Sequence, residues 1–167
     1  MKNDEGLHQV YLGLGSNLGD KEENIRKAVT LINELIGTVV RQSAFYVSEP
    51  WGFESDNQFV NSVICVQTSL VPNALLKQTQ AIERLLGKTK LHATDRTDAQ
   101  PSSVHSSLST HPSALYHDRP IDIDILLYDD LHIDTPELKI PHPLMQERDF
   151  VMIPLREIGF TYADPEP

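Results

Sequence analysis

The sequence predicts an α+β fold of the ferredoxin-like kind, a sandwich with a mostly antiparallel sheet and helices packed on it. Three observations predict it. Stretches of two-residue apolar alternation occur beside stretches of three-to-four-residue spacing. They follow one another as strand, helix, two strands, helix, strand, which is the split βαβ order, and no internal repeat interrupts them. The chain has 167 residues, enough for one real core and too few for two, so residues 1–167 are expected to form a single domain.

The first strand is read at Val10 to Leu14, an apolar run that leads into the turn-forming Gly15-Ser16-Asn17-Leu18-Gly19-Asp20. An amphipathic helix follows over about residues 20 to 36. Ile25, Ala28, Val29, Ile32, Leu35 and Ile36 fall on one face, Asp20 can cap the start with Glu22 and Glu23 in the first turn, and Gly37 can end it. A strand over roughly Thr38 to Ser48 and another near Gln58 to Thr68 flank the loop EPWGFESDN and could pair antiparallel. Pro72 suits a first helical turn, and Leu75, Leu76, Thr79, Ile82 and Leu86 carry a second helix to Gly87.

Beyond Gly87 the periodicity dissolves. Residues 99 to 114 contain no Lys, Arg, Asp or Glu and are rich in Ser, His and Thr, so a mobile loop is expected over about residues 88–118. Order returns at RPIDIDILLYDD, where Ile121, Ile123, Ile125 and Leu127 alternate with Asp122, Asp124, Leu126 and Tyr128, the pattern of a strand. A short strand or hairpin arm near His132, the segment IPHPLMQERDF and the apolar VMIPL complete the chain.

Composition narrows the function. Apolar residues are 40%, charged residues 23% and aromatics 7%, which excludes collagen-like, disordered and membrane-spanning classes. The 24 acidic residues against 14 basic ones give −10, which disfavours a broad grip on nucleic acid or anionic lipid. The early acids Asp4 and Glu5, and Gly13 inside the first apolar run, speak against a signal peptide or membrane anchor, so a cytoplasmic protein is expected. Cys65, the only cysteine, excludes an internal disulfide and reads as a small buried apolar residue.

Four features could carry chemistry. The run Gly13 to Gly19 follows a strand and opens a helix, yet its glycine spacing fails the dinucleotide fingerprint, and no Gly-Lys-Ser/Thr triplet exists for a Walker loop. A tight turn needing glycine torsions explains it without a ligand. Asp122 and Asp124 lie two apart on a strand, so both carboxylates face one way with Cα atoms roughly 6.6 Å apart. Magnesium takes one or two carboxylates plus substrate phosphates, and a pair of ions can clamp both oxygens of a phosphoryl transfer. The alternative is the solvated polar face of an edge strand. Arg84, Lys88, Lys90, Arg96 and Arg119 form a basic cluster in sequence, suited to a polyphosphate or else scattered over the surface. His105, His111 and His117 match no common zinc spacing and read as loop histidines.

Five segments in order, Gly13 to Asp20, Phe59 to Asn61, Thr79 to Glu83, Asp118 to Tyr128 and Ile140 to Leu155, resemble the 6-hydroxymethyl-7,8-dihydropterin pyrophosphokinases of folate synthesis. The resemblance implies a ferredoxin-like fold and transfer of a diphosphate group from ATP to the pterin hydroxymethyl oxygen, with AMP leaving. It implies two magnesium ions held by Asp122 and Asp124. Phe59 and Phe150 would stack on the pterin and Asn61 would bond its edge, with Ser48 and Trp51 completing that site. Gln80, Glu83, Ile125, His142 and Arg148 would hold the nucleotide, and Lys88, Lys90 and Arg119 would neutralise phosphates. ATP and reduced pterin are the partners the resemblance implies; a monomer is expected, and the charge balance and apolar pattern above predict no nucleic acid and no membrane.

The chain departs from that family at Leu115-Tyr116-His117-Asp118-Arg119, where a loop arginine is usual at position 115, and at 88 and 90, where lysines replace arginines. A rival reading is a non-catalytic ferredoxin-like module that binds a ligand or a protein. The Asp pair discriminates between the two.

Overall fold

The structure, a computed structural model, describes residues 6–49, 57–95 and 120–160, with residues 88–95 described by their backbone alone. Its elements are β1 (His8–Ser16), α1 (Lys21–Leu35), β2 (Gly37–Gln42), β3 (Tyr46–Ser48), β4 (Phe59–Thr68), α2 (Pro72–Asp95), β5 (Asp122–Tyr128), β6 (Ile133–Asp134), β7 (Lys139–Ile140) and α3 (Asp149–Glu157), with a 3-10 turn at Met145–Glu147.

Every pairing among these strands is antiparallel. β1 is central, with β4 on one side and β5 on the other, and β2 and β3 both pair with β4. Counted as one interrupted strand, β2 and β3 complete the ferredoxin-like arrangement that the element order predicts.

The interruption has a local cause. At Ser43 a side chain takes over the ladder: the Val63 N–H donates to Ser43 Oγ at 3.0 Å while the Ser43 N–H donates to the Val63 carbonyl at 2.9 Å. The single strand expected over Thr38 to Ser48 is therefore two.

α1 and α2 cover one face. Ile25, Ala28 and Ile32 of α1 and Leu75 and Ile82 of α2 pack on Val10, Leu12, Ile64 and Val66 of the sheet, all fully buried. Each large side chain there contributes about 1.5–3 kcal/mol. Asp20 caps α1 as expected, accepting the Glu23 N–H at 3.2 Å. Leu35, expected on the apolar face, is 45% exposed. Gly37 ends α1 without a left-handed turn; a Cβ there would collide with the Gln67 carbonyl oxygen, so its bareness serves the β2–β4 contact.

Gly87 does not end α2, which runs on to Asp95. A mid-helix glycine costs about 1 kcal/mol relative to alanine, an amount that the good helix formers after it can carry. Residues 88–95 are thus helical and not loop; residues 96–118 of the expected loop lie outside the described residues, together with the three loop histidines.

The opposite face is covered by α3, which the sequence left unassigned because Pro154 sits inside it. Val151, Met152 and Leu155 of α3 pack with Met145 on Tyr11, Val63, Cys65 and Leu126. Cys65 is fully buried, and burial pushes its thiol pKa up, as expected of an apolar residue. Glu157 accepts the Ala44 N–H at 2.9 Å and Arg41 Nε donates to the Ile158 carbonyl at 2.8 Å, fastening the end of α3 to the break between β2 and β3.

A bulge in β5 changes one sequence expectation. Tyr11 pairs with Leu127 but Leu12 pairs with Ile125, so Leu126 is an extra residue and the alternation slips by one. Leu126 stays on the aspartate face, packed under α3, whereas Tyr128 crosses to the face of α1 and α2 and donates its hydroxyl to the Leu70 carbonyl at 2.6 Å. Tyr128 therefore does not extend the face of Asp122 and Asp124.

Candidate active site

The α3 face of the sheet and the outer edge of β5 meet at the two aspartates. In register, Gly15 pairs with Asn61 on one side and with Asp122 on the other; one step along, Gly13 pairs with Val63 and with Asp124. Paired residues share a face, so Asn61, Gly15 and Asp122 form one row across three strands, and Phe59 lies two residues along β4 on that same face. Gly13 and Gly15 are strand residues without positive φ. Gly19, at φ +70°, is the glycine that makes the turn, so the turn explanation holds for it alone.

Asn61 is held firmly. Its Nδ2 donates to the Tyr46 carbonyl at 3.0 Å and to Ser48 Oγ at 2.8 Å. A carbonyl partner fixes which end of the amide is nitrogen, so Asn61 presents its oxygen, an acceptor, toward Gly15. Ser48 thus reaches the site through Asn61. Phe150, at the start of α3, is half-buried against the α3-face core.

Along the outer edge of β5 runs a cleft of about 350 Å³. Gln80 and Glu83 of α2 stand on one wall; Leu138, Lys139 and His142, from the β6–β7 hairpin and the turn after it, stand on the other; Ile123, Asp124 and Ile125 form the floor. Glu83 Oε2 accepts the Ile123 N–H at 2.8 Å, so Ile123 turns its backbone to this edge. Residues two apart in a strand point their N–H and C=O groups the same way, which brings the Ile125 backbone to the edge as well.

His142 is fixed at both ends, its N–H donating to the Leu126 carbonyl at 3.0 Å and its Nδ1 accepting the Leu144 N–H at 3.2 Å. Burial, and then the positive charge of Arg148, push its pKa down to about 4. At neutral pH the ring is uncharged with Nδ1 occupied as an acceptor, so Nε2 carries the proton and is a donor. Arg148 lies between the halves of the site, 3.9 Å from Asp124 Oδ2 and 5.6 Å from the Phe150 ring centroid.

Of the residues singled out from sequence, Gln80, Glu83, Ile125 and His142 thus share one cleft with Asp124, while Ser48, Phe59 and Asn61 gather one row away. Lys88 and Lys90 fall in the last turns of α2, where side chains are not described; Trp51 and Arg119 lie outside the described residues. The hairpin arm expected near His132 is the β6–β7 pair; sequence reasoning missed that this hairpin walls the cleft, and it missed the place of Gly15 between Asn61 and Asp122.

Among the described residues no three His, Cys, Asp or Glu side chains converge as a ready-made metal cage. Asp122 and Asp124 nevertheless offer two partly exposed carboxylates on one strand face beside an open cleft. That all-oxygen, incomplete donor set fits a magnesium ion whose remaining ligands are substrate phosphates and water.

Comparison with known proteins points to one family. Residues 11–159 match the family described as 7,8-dihydro-6-hydroxymethylpterin-pyrophosphokinase (HPPK). A protein of Porphyromonas gingivalis named 2-amino-4-hydroxy-6-hydroxymethyldihydropteridine pyrophosphokinase is 43% identical over 158 residues, covering 94% of each chain. The protein of that name from Aquifex aeolicus is 38% identical over 156 residues, covering 93% of this chain and 83% of its own. In three dimensions, a crystal structure of Plasmodium falciparum HPPK-DHPS superposes with a TM-score of 0.64 at 15% identity, over 91% of this chain and 42% of that one. At that identity the likeness is one of fold.

Proposed function

Because the chain belongs to the 7,8-dihydro-6-hydroxymethylpterin-pyrophosphokinase family, we propose how its own residues divide the work of that reaction. The chain is an enzyme of folate biosynthesis that transfers diphosphate from ATP to the hydroxymethyl group of 6-hydroxymethyl-7,8-dihydropterin. Its substrates are therefore ATP and the reduced pterin, and membership decides against the non-catalytic module.

The hydroxymethyl oxygen attacks the β-phosphorus, loses its proton, and AMP departs with the bridging oxygen. Such a transfer asks the protein mainly for alignment and charge compensation. The cleft beside β5 is assigned to the nucleotide: Gln80, Glu83 and the Ile125 backbone lie where the purine and ribose would seat, and His142 offers a neutral Nε2 donor. Arg148, beside Asp124, is placed to reach a phosphate.

The Asn61 row is assigned to the pterin. Asn61 presents an acceptor, which suits the N–H groups of a pterin edge, and Phe59 and Phe150 on the same face supply aromatic surface for a flat ring. Asp122 and Asp124 would hold two magnesium ions, which supply compensation for phosphate charge when bound. Lys88, Lys90 and Arg119 are assigned to the phosphates by their positions in the matched motifs.

The observation that carries this division is that Asp122 and Asp124 stand where the two half-sites meet, Asp124 in the cleft floor and Asp122 in the row of Asn61. Incubation with ATP, magnesium and 6-hydroxymethyl-7,8-dihydropterin tests it. Pterin-dependent AMP is expected; ADP would overturn it.

We also propose that the protein acts as a single-domain monomer in the cytoplasm, with no nucleic acid or membrane partner. Its net charge of −10 supports the part about nucleic acid and anionic membranes, which a negative protein grips poorly.

A further inference from the structure

Gly15 is the last but one residue of the central strand β1, where a residue with a side chain ordinarily serves a strand better than glycine does. Its backbone does not require it, because φ is not positive. The reason lies above the strand. A Cβ on Gly15 would stand 3.1 Å from Asn61 Oδ1 and 3.4 Å from Phe59 Cδ1.

Asn61 can yield only by straining the bonds from Nδ2 to Tyr46 and Ser48. Gly13, one row along on the same face, differs. A Cβ there would stand 3.5 Å from Leu126 Cδ1, an ordinary contact with a flexible side chain. Two glycines with the same backbone thus have different neighbours, and only Gly15 lies between Asn61 and Asp122.

We infer that Gly15 is a specificity-determining position for the pterin substrate. Its bare Cα sets the depth at which a flat ring settles beside Phe59 and Asn61. It also keeps open the gap, one strand or about 4.8 Å wide on either side, across which the hydroxymethyl group reaches toward Asp122. A methyl group at this position occupies that gap and presses on the two side chains that face the ring. The inference rests on the assignment of Phe59 and Asn61 to the pterin.

The test compares the parent enzyme with Gly15→Ala and Gly13→Ala. Calorimetry would measure binding of 6-hydroxymethyl-7,8-dihydropterin in the presence of magnesium and α,β-methylene-ATP, and thermal melting would follow the fold. Gly15→Ala is expected to fold and to melt within a few degrees of the parent, to bind the nucleotide analogue unchanged, and to lose pterin affinity by about tenfold to a hundredfold, the scale of overpacking a fitted site. Gly13→Ala is expected to keep the parental pterin affinity. Equal pterin affinity in Gly15→Ala and parent would overturn the inference, and so would a Gly15→Ala protein that fails to fold, since the glycine would then serve the strand. Failure of the parent itself to bind the pterin would overturn the underlying reading of the site instead.

Discussion

Glu83 of α2 accepts a hydrogen bond from the backbone N–H of Ile123 at 2.8 Å, and Ile123 is the residue between Asp122 and Asp124. The helix that lines the cleft proposed for the nucleotide is thereby bolted to the strand that carries the aspartate pair. A hydrogen bond to a charged acceptor is worth about 1.5–3 kcal/mol. Glu83→Ala is therefore expected to lower unfolding free energy by about 1–3 kcal/mol and to weaken ATP binding, whereas Glu83→Gln keeps an acceptor and most of the stability. Urea denaturation and nucleotide titration of both variants would check this; equal behaviour of Ala and Gln would remove the bond from the account.

Asp122→Asn and Asp124→Asn each keep size and hydrogen-bonding capacity while removing a carboxylate charge. Turnover to AMP is expected to fall by more than about a hundredfold in each, with unchanged circular dichroism, as when a metal clamp is lost. Parental rates at saturating magnesium would refute the assignment.

Ser48→Ala leaves one Nδ2 hydrogen of Asn61 without its partner in a side chain that is almost fully buried. Pterin affinity is expected to fall by about fivefold, the equivalent of about 1 kcal/mol, and Ser48→Thr is expected to restore it. A Thr variant as weak as the Ala variant would show that the hydroxyl is not what matters.

Phe150→Ala removes an aromatic face from the edge of the α3 core. If the ring stacks on pterin, calorimetry should record a loss of about 1–3 kcal/mol in pterin binding. Undiminished binding by a folded variant would take Phe150 out of the site.

His142 gives the fold a dependence on acid. Its pKa is about 4 folded against 6.5 for the free side chain. Between those values the unfolded chain holds more of the proton, so this contribution to stability is complete above pH 6.5 and is drawn down as pH falls toward 4. Melting temperatures measured over that interval are expected to decline more steeply for the parent than for His142→Gln. Parallel curves would mean that the imidazole titrates alike in both states.

The parts of this architecture that were legible in the sequence are those governed by neighbours in the chain. α1 announced itself through its apolar spacing and the Asp20 cap, and Asp122 and Asp124 through the two-residue period of a strand. What escaped depends on residues far apart. The bulge at Leu126 exists only in the pairing of β5 with β1. α3 was hidden because Pro154 contradicts a helical signal that burial under the sheet sustains. Gly15 looked like a turn residue because its neighbours Asn61 and Asp122 come from β4 and β5. That Gln80, Glu83, Ile125 and His142 share one cleft was not legible, because its second wall, from Leu138 to His142, needed the chain to fold back along β5.

β5 forms one border of the sheet, and border strands are where two copies of a β protein can zip together. Here two of the docking points for a foreign strand are already taken, at Ile123 by a carboxylate and at Leu126 by the amide of His142. Between them lies Ile125, facing the cleft. If the cleft takes a purine as proposed, backbone that would otherwise invite self-association is put to use, and a filled cleft also keeps neighbouring molecules apart.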